Sequence, residues 1–161
     1  MRIVIVGAGK VGSSIAEQLN REGHDIVIID RNAKVLENIQ ETFDVISVSG
    51  NGACLSIQRE AGVESSDLLI ATTASDELNL LCCLLARKLG CIHTICRIRN
   101  PEYSQQIPLL SEELGLSMSI NPEQAAAREI FRMLQFPSFL KRDSFARGKV
   151  ELLELNVSEN S

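Results

Sequence analysis

Apolar positions along the chain follow two rhythms. Short apolar-rich blocks, β-branched throughout in the first, alternate with longer stretches in which apolar residues recur every three or four positions. The short blocks mark strands, the first of them suited to burial on both faces, and the longer stretches mark amphipathic helices. Blocks of the first kind are Ile3 to Val6, Asp25 to Ile29, Asp44 to Ser49, Asp67 to Thr72, Ile92 to Ile98 and Leu116 to Ile120. Between them, helices are predicted over Ser13 to Glu22, Asn32 to Glu41, Cys54 to Ala61, Asp76 to Leu89 and Tyr103 to Leu114, with Pro108 a candidate kink in the last.

Boundary signals support these spans. Ser75 is placed to cap a helix whose first turn carries Asp76 and Glu77, where the dipole favours acids. Gly62 and Gly90 stand at helix ends. Asn121-Pro122, with Gln124 in the capping-box position, starts a helix through Ala125, Ile130, Met133 and Leu134 that stops before Pro137. Six strands alternating with helices predict an α/β fold, a Rossmann-like doubly wound parallel six-stranded sheet with right-handed crossovers. Residues 1–140 form this expected domain, and 141–161 a linker and the start of a further lobe. There, Lys149 to Val157 reads as a short strand. Its Leu152, Leu153, Leu155 and Val157 need a surface to cover, as in a piece of a longer protein or a dimer that buries the tail.

The first strand runs directly into Gly7-Ala8-Gly9-Lys10-Val11-Gly12, a G-x-G-x-x-G at the start of a helix. In that setting the first glycine permits a tight turn and the second lets a pyrophosphate approach the backbone. The third lets helix and strand pack closely, and the helix N-terminus offers N–H groups to phosphate. Glycines also serve ordinary turns, so the motif needs context. Asp30 supplies it by ending the second strand at the spacing of a ribose-binding acid.

Open α/β sheets bind ligands outside the carboxyl ends of their strands. Those ends carry Gly7 to Gly12, Asp30 and Arg31, Gly50-Asn51-Gly52, Thr72-Thr73-Ala74, and Arg97 with Arg99. Asn51 could read the adenine edge or only close its own turn. Thr72, Thr73 and Ala74 would line the far half of a nucleotide. Lys10 could reach phosphate oxygens or stay solvated. Arg97 breaks an isoleucine-rich strand, and so needs a phosphate or an acidic neighbour. Arg31 could touch a 2′-phosphate or pair locally, but Asp30 would repel that phosphate. NAD or NADH, or ATP and ADP, are therefore expected ahead of NADP.

Composition narrows the classes further. The formal net charge is −5 over 161 residues, with no basic face to suit nucleic acid. The longest apolar helical run, Leu78 to Ala86, falls far short of the roughly 20 residues that span a bilayer. With its first strand at residue 2 or 3, the chain is expected to lack a signal peptide and to be cytoplasmic. Cys54, Cys82, Cys83, Cys91 and Cys96 show no metal spacing and read as reduced, mostly buried thiols. A dehydrogenase would need a proton donor near the nicotinamide. His24 and His93 stand beside turns, Tyr103 is the sole tyrosine, and no catalytic residue is assigned. The bound nucleotide is therefore read as an effector that shifts a conformational equilibrium.

Met1 to Gly12, the Gly50-Asn51-Gly52 turn before Arg59-Glu60-Ala61-Gly62, the run Ala71 to Asn79, and Arg97-Ile98-Arg99-Asn100-Pro101-Glu102-Tyr103 together resemble the TrkA N-terminal (KTN/RCK) domain. That family forms the cytosolic regulatory subunit of Trk-type potassium uptake systems. The likeness covers roughly residues 1 to 140. It implies homo-oligomers, dimers building a larger ring, under a potassium-conducting Trk-type membrane subunit on the inner face of the membrane. NAD(H) or ATP/ADP at the strand ends would adjust the ring. Gly7 to Gly12, Asp30, Asn51, Thr72, Thr73 and Arg97 match nucleotide-contacting positions of the family. Lys10 and Arg99 lie where relatives present cations to phosphates. Asn121-Pro122-Glu123 looks like the start of a pairing helix, with Glu123 a candidate interface or cation contact. Asn51 stands where relatives often carry Asp, and Trk subunits usually continue into a second lobe or repeat. The alternatives are the cofactor half of an NAD-dependent dehydrogenase, or the regulatory domain of a potassium efflux or antiport system.

Overall fold

The computed structural model describes residues 1–135, 139–145 and 150–155. These divide into two compact units, Met1–Pro122 and Glu123–Ser161. In the first, strands β1 (Arg2–Val6), β2 (Asp25–Asp30), β3 (Ile46–Ser49), β4 (Leu68–Ala71), β5 (His93–Arg97) and β6 (Met118–Ile120) form one parallel sheet in the order β3-β2-β1-β4-β5-β6. Helices α1 (Lys10–Arg21), α2 (Ala33–Thr42), α3 (Leu55–Glu60), α4 (Asp76–Leu89) and α5 (Pro101–Leu114) connect them. This is the expected Rossmann-like doubly wound sheet.

In β1, β2 and β4 the apolar runs are buried on both faces, whereas the edge strands β3 and β6 are largely exposed. Ile3, Ile5, Ile26, Ile28 and Ile70 point to one face, where Ala16 of α1 and Leu36 and Ile39 of α2 cover them. Val4, Val6, Val27, Ile29, Leu69 and Ala71 point to the other and pack with Cys82, Cys83 and Ala86 of α4. Alternate side chains of one strand thus serve two cores, which an alternating polar face could not do.

Boundaries differ from expectation at several points. Helix α1 begins at Lys10 rather than Ser13, with Gly9 as its N-cap, so Gly12 lies inside the first turn. Helix α5 begins at Pro101 and runs on through Pro108. A short 3-10 turn, Val63–Ser65, follows Gly62. Ser75 caps α4 by accepting from the Leu78 N–H at 3.1 Å, and Gly90 ends it in the left-handed region at φ 114°.

The second unit holds α6 (Pro122–Gln135, its first residue belonging to the first unit) and an antiparallel hairpin of β7 (Phe139–Phe145) and β8 (Val150–Leu155). β8 matches the predicted terminal strand except Lys149, Asn156 and Val157, which lie outside the described residues, as do Phe136, Pro137 and Ser138. β7 was not expected, because Lys141-Arg142-Asp143 breaks its apolar pattern. Its pairing with β8 depends on hydrogen bonds that no pattern displays.

Cys82, Cys83, Cys91 and Cys96 are buried free thiols, and Cys54 is exposed. Burial pushes the Cys82 thiol up to about 12, and Cys83 is also raised, first by its hydrogen bond with Cys96 and then by burial. A raised folded pKa keeps both protonated through neutral and mildly alkaline pH. At pH 8, a disulfide reagent such as DTNB should therefore titrate Cys54 quickly in the native protein, and the remaining four only on denaturation. Gly12 gives a second check. A Cβ there would sit 1.9 Å from the Gly7 carbonyl oxygen. Gly12→Ala should cost about 1–3 kcal/mol and lower the thermal midpoint by about 5 °C in a circular-dichroism melt.

Candidate nucleotide site

Strand order reverses beside β1: the chain builds β2 and β3 on one side, then crosses to β4 on the other. The loops after β1 and β4 therefore diverge and leave a cleft at their carboxyl ends, the usual ligand position in open α/β sheets. The cleft has a volume of about 310 Å³ and is lined by the loops that follow β1 to β4.

The glycine loop forms its floor. Gly7 turns at φ 99°, a conformation costly for other residues, and a side chain there would also strike the Thr73 backbone N at 2.9 Å. Thr72 holds the turn from the other side, its hydroxyl lying 3.0 Å from the Gly7 carbonyl and 3.2 Å from that of Val6. Gly12 brings α1 onto this turn. At Gly9, by contrast, a Cβ would meet nothing within 4 Å, so the helix N-terminus opens toward the cleft. Gly9 caps α1 without a side-chain hydrogen bond. The first-turn N–H groups remain for an anion, with the positive end of the helix dipole behind them.

Asp30 anchors the opposite wall. One carboxylate oxygen accepts the Ala8 N–H at 2.7 Å and the other the Asn32 N–H at 2.8 Å. These bonds fix the carboxylate against the glycine loop, and each oxygen keeps a lone pair for a ribose hydroxyl. Gly50, Asn51 and Gly52 bound the next side; Asn51 accepts the Ala53 N–H at 3.2 Å, closing its own turn while lining the cleft.

Of the residues singled out by sequence, Gly7, Gly9, Asp30, Arg31, Asn51, Gly52, Thr72, Thr73 and Ala74 line the cleft together. Ala8 and Gly12 are buried behind it and shape the loop. Lys10 is exposed at the first position of α1, with half-buried Val11 after it. Arg97 ends β5, where its carbonyl accepts from Asn79. Arg99 donates to the Ala74 carbonyl and lies 3.9 Å from Asp76. Gly50, named with Asn51 and Gly52 at its strand end, also lines the cleft, as do Val6, Ile29 and Leu78, which were not singled out.

Three buried residues have a supporting role that escaped the sequence reading: Gln58, Asn79 and Asp76, the last expected only as a first-turn acid. Asp76 and Asn79 share the core-facing stripe of α4 with Cys82, Cys83 and Ala86. A polar side chain on such a stripe is the signal that could have found them. At the rim, Glu77 accepts the Ser75 hydroxyl at 2.7 Å and the Tyr103 hydroxyl at 2.9 Å. The Ser75 bond leads in holding its carboxyl below the usual range, and the same contact with Glu77 raises Tyr103.

A larger hollow of about 560 Å³ lies at the other ends of β1 to β3. It faces the carbonyl end of α1 and is lined by Arg2, His24, Asp25 and Asp44, away from the glycine loop. Among the described residues, no group of His, Cys, Asp and Glu could hold a metal ion, and no helix is long and apolar enough to cross a membrane.

A parallel sheet with its glycine turn, helix N-terminus and strand-end carboxylate at the switch point defines a Rossmann-type nucleotide-binding architecture. Within that class the chain belongs to the TrkA-N domain family, whose sequence model matches residues 3–122. It is 40% identical over its whole length to the Trk system potassium uptake protein TrkA homolog of Archaeoglobus fulgidus, of which it covers 36%. It is 37% identical to the TrkA of Vibrio alginolyticus, with 98% of this chain and 35% of that protein aligned. The chain thus spans about a third of these relatives. Among solved structures, the TrkA-N domain of the inner membrane protein ybaL from Escherichia coli is similar at a TM-score of 0.73 and 25% identity, covering 83% of this chain and 96% of that one. The Kef CTD of Shewanella denitrificans in its AMP-bound form (TM-score 0.67, 18% identity, 85% and 82% covered) shares the fold. So does the NAD-bound GsuK channel (TM-score 0.63, 20% identity, 74% and 21% covered).

Proposed function

We propose that this chain is a nucleotide-sensing regulatory domain of a Trk-type potassium uptake system, binding NAD(H) or ATP/ADP and working without chemistry of its own. The observation that carries the reading is the pairing of an open glycine-loop helix end with Asp30 in one cleft. Ligand-bound neighbours of the same fold carry NAD and AMP, which share the adenosine-phosphate portion that such a cleft would read. The relatives' description as potassium uptake proteins supports an effector role over hydride transfer. On this reading Gly7, Gly9 and the first turn of α1 take the phosphates. Asp30 takes the ribose, Asn51 and Gly52 the base side, and Thr72 to Ala74 the distal half. Lys10, Arg97 and Arg99 then stand by to sense phosphate.

Residues 1–140 act as the nucleotide-binding domain, and 141–161 begin a further lobe. Copies pair and build a ring on the cytoplasmic face of a potassium-conducting membrane subunit. The support is the family and the relatives' own description as potassium uptake proteins.

Titration calorimetry with NADH, NAD, ATP and ADP tests the proposal, with saturable binding expected. Asp30→Ala removes a charged acceptor of the ribose hydroxyls and should weaken NADH binding about 10- to 100-fold with the melt as a folding control. An unchanged affinity would refute the site. NADPH should bind at least about tenfold more weakly than NADH, because its 2′-phosphate meets Asp30. Hydride transfer from NADH to any substrate by the parent protein would turn the assignment to a dehydrogenase.

A further inference from the structure

The β4–β5 ladder ends at the pair Ala71↔Cys96. Beyond it, Thr73 and Ala74 line the cleft, and Arg97 to Asn100 lead into α5. Side chains of α4 span the gap between these segments. Asn79 is fully buried, and its amide uses all of its bonding capacity. Its oxygen accepts the N–H of Thr73 at 2.8 Å and the Thr73 hydroxyl at 2.7 Å. Its NH₂ group donates to the Thr73 carbonyl at 3.3 Å and the Arg97 carbonyl at 2.9 Å. One side chain thus grips both backbone groups of a cleft residue and the last residue of β5.

Three positions earlier on the same face, Asp76 is also buried. One of its oxygens accepts the N–H groups of Arg99 at 2.9 Å and Asn100 at 2.8 Å, the two residues before α5. Arg99 returns the link by donating to the Ala74 carbonyl. On the rim, Tyr103 of α5 donates to Glu77 of α4 at 2.9 Å.

We infer that Asn79 and Asp76 are positioning residues that couple the nucleotide cleft to the β5–α5 connection. A ligand that shifts Thr73 or Ala74 must carry Arg97 to Asn100 with it, or leave buried donors and acceptors unpaired. The second outcome is costly in a low-dielectric interior, so the two segments move together. The inference rests on the nucleotide reading of the cleft and adds the route by which occupancy reaches α5.

Amide hydrogen exchange on the full chain, with and without NADH, tests it. In the wild type, NADH should slow exchange at Ala8 in the glycine loop and also at Arg99 and Asn100, by at least about tenfold. In Asp76→Ala at saturating NADH, the slowing at Ala8 should persist while the slowing at Arg99 and Asn100 is lost. Asn79→Asp keeps the acceptor for Thr73 but loses the donor to Arg97. It should likewise retain slowing at Ala8 and lose it at Arg99. Slowing at Ala8 alone in the wild type would overturn the coupling and leave the nucleotide site standing. Full slowing at Arg99 and Asn100 in both variants would also overturn it. An absence of NADH binding heat in the wild type would remove the nucleotide reading, and this inference with it.

Discussion

The approach of α1 to the end of β1 is the constraint on which the rest of this structure depends. Gly12 lets the helix lie against the Gly7 carbonyl, and Thr72 buttresses that carbonyl from β4. The contact aims the helix N-terminus along the sheet's carboxyl edge and holds the glycine turn in a conformation open to an anion. Asp30 then closes the loop by taking the Ala8 N–H. On the proposed reading, the groups that would take phosphate and ribose are thereby fixed relative to one another before any ligand arrives, which reduces the ordering cost of binding.

The cleft is supported from below by two buried amides. Gln58 donates to the Gly52 carbonyl at 2.7 Å and the Cys82 carbonyl at 3.0 Å, tying the turn after β3 to α4. Asn79 does the same for the turn after β4. Helix α4 is therefore a common support for the loops that surround the cleft. That explains why an otherwise apolar helix carries Asp76 and Asn79 on its inward face. Removing either partner of such a bond strands a buried polar group, at a cost of about 1–3 kcal/mol.

Much of this was legible in the sequence. The β-branched run of β1 specified a strand buried on both faces, and the alternation of strands with helices specified a parallel, doubly wound sheet. Gly7-x-Gly9-x-x-Gly12 followed by Asp30 specified the glycine turn and the carboxylate that share one cleft, because local turn chemistry and strand length fix both. The Ser75 and Gly90 caps were readable for the same reason. Strand β7 was hidden because Lys141-Arg142-Asp143 breaks its pattern, and the early start of α1 was hidden because Gly9 is a weak cap signal. The supporting amides were hidden because Gln58 and Asn79 look like ordinary polar residues of a helix until their neighbours are known.

The sequence by itself determined the fold class, the glycine turn and the acid that faces it, since all three follow from periodicity and short-range geometry. Only the tertiary structure decided how the strand-end residues divide. Thr73 and Ala74 line the cleft, whereas Arg99 turns back to the Ala74 carbonyl beside Asp76. It also decided that Asn79 joins Thr73 to Arg97. Those outcomes depend on which loops the sheet order brings side by side, and contacts between segments distant along the chain leave no local pattern to read.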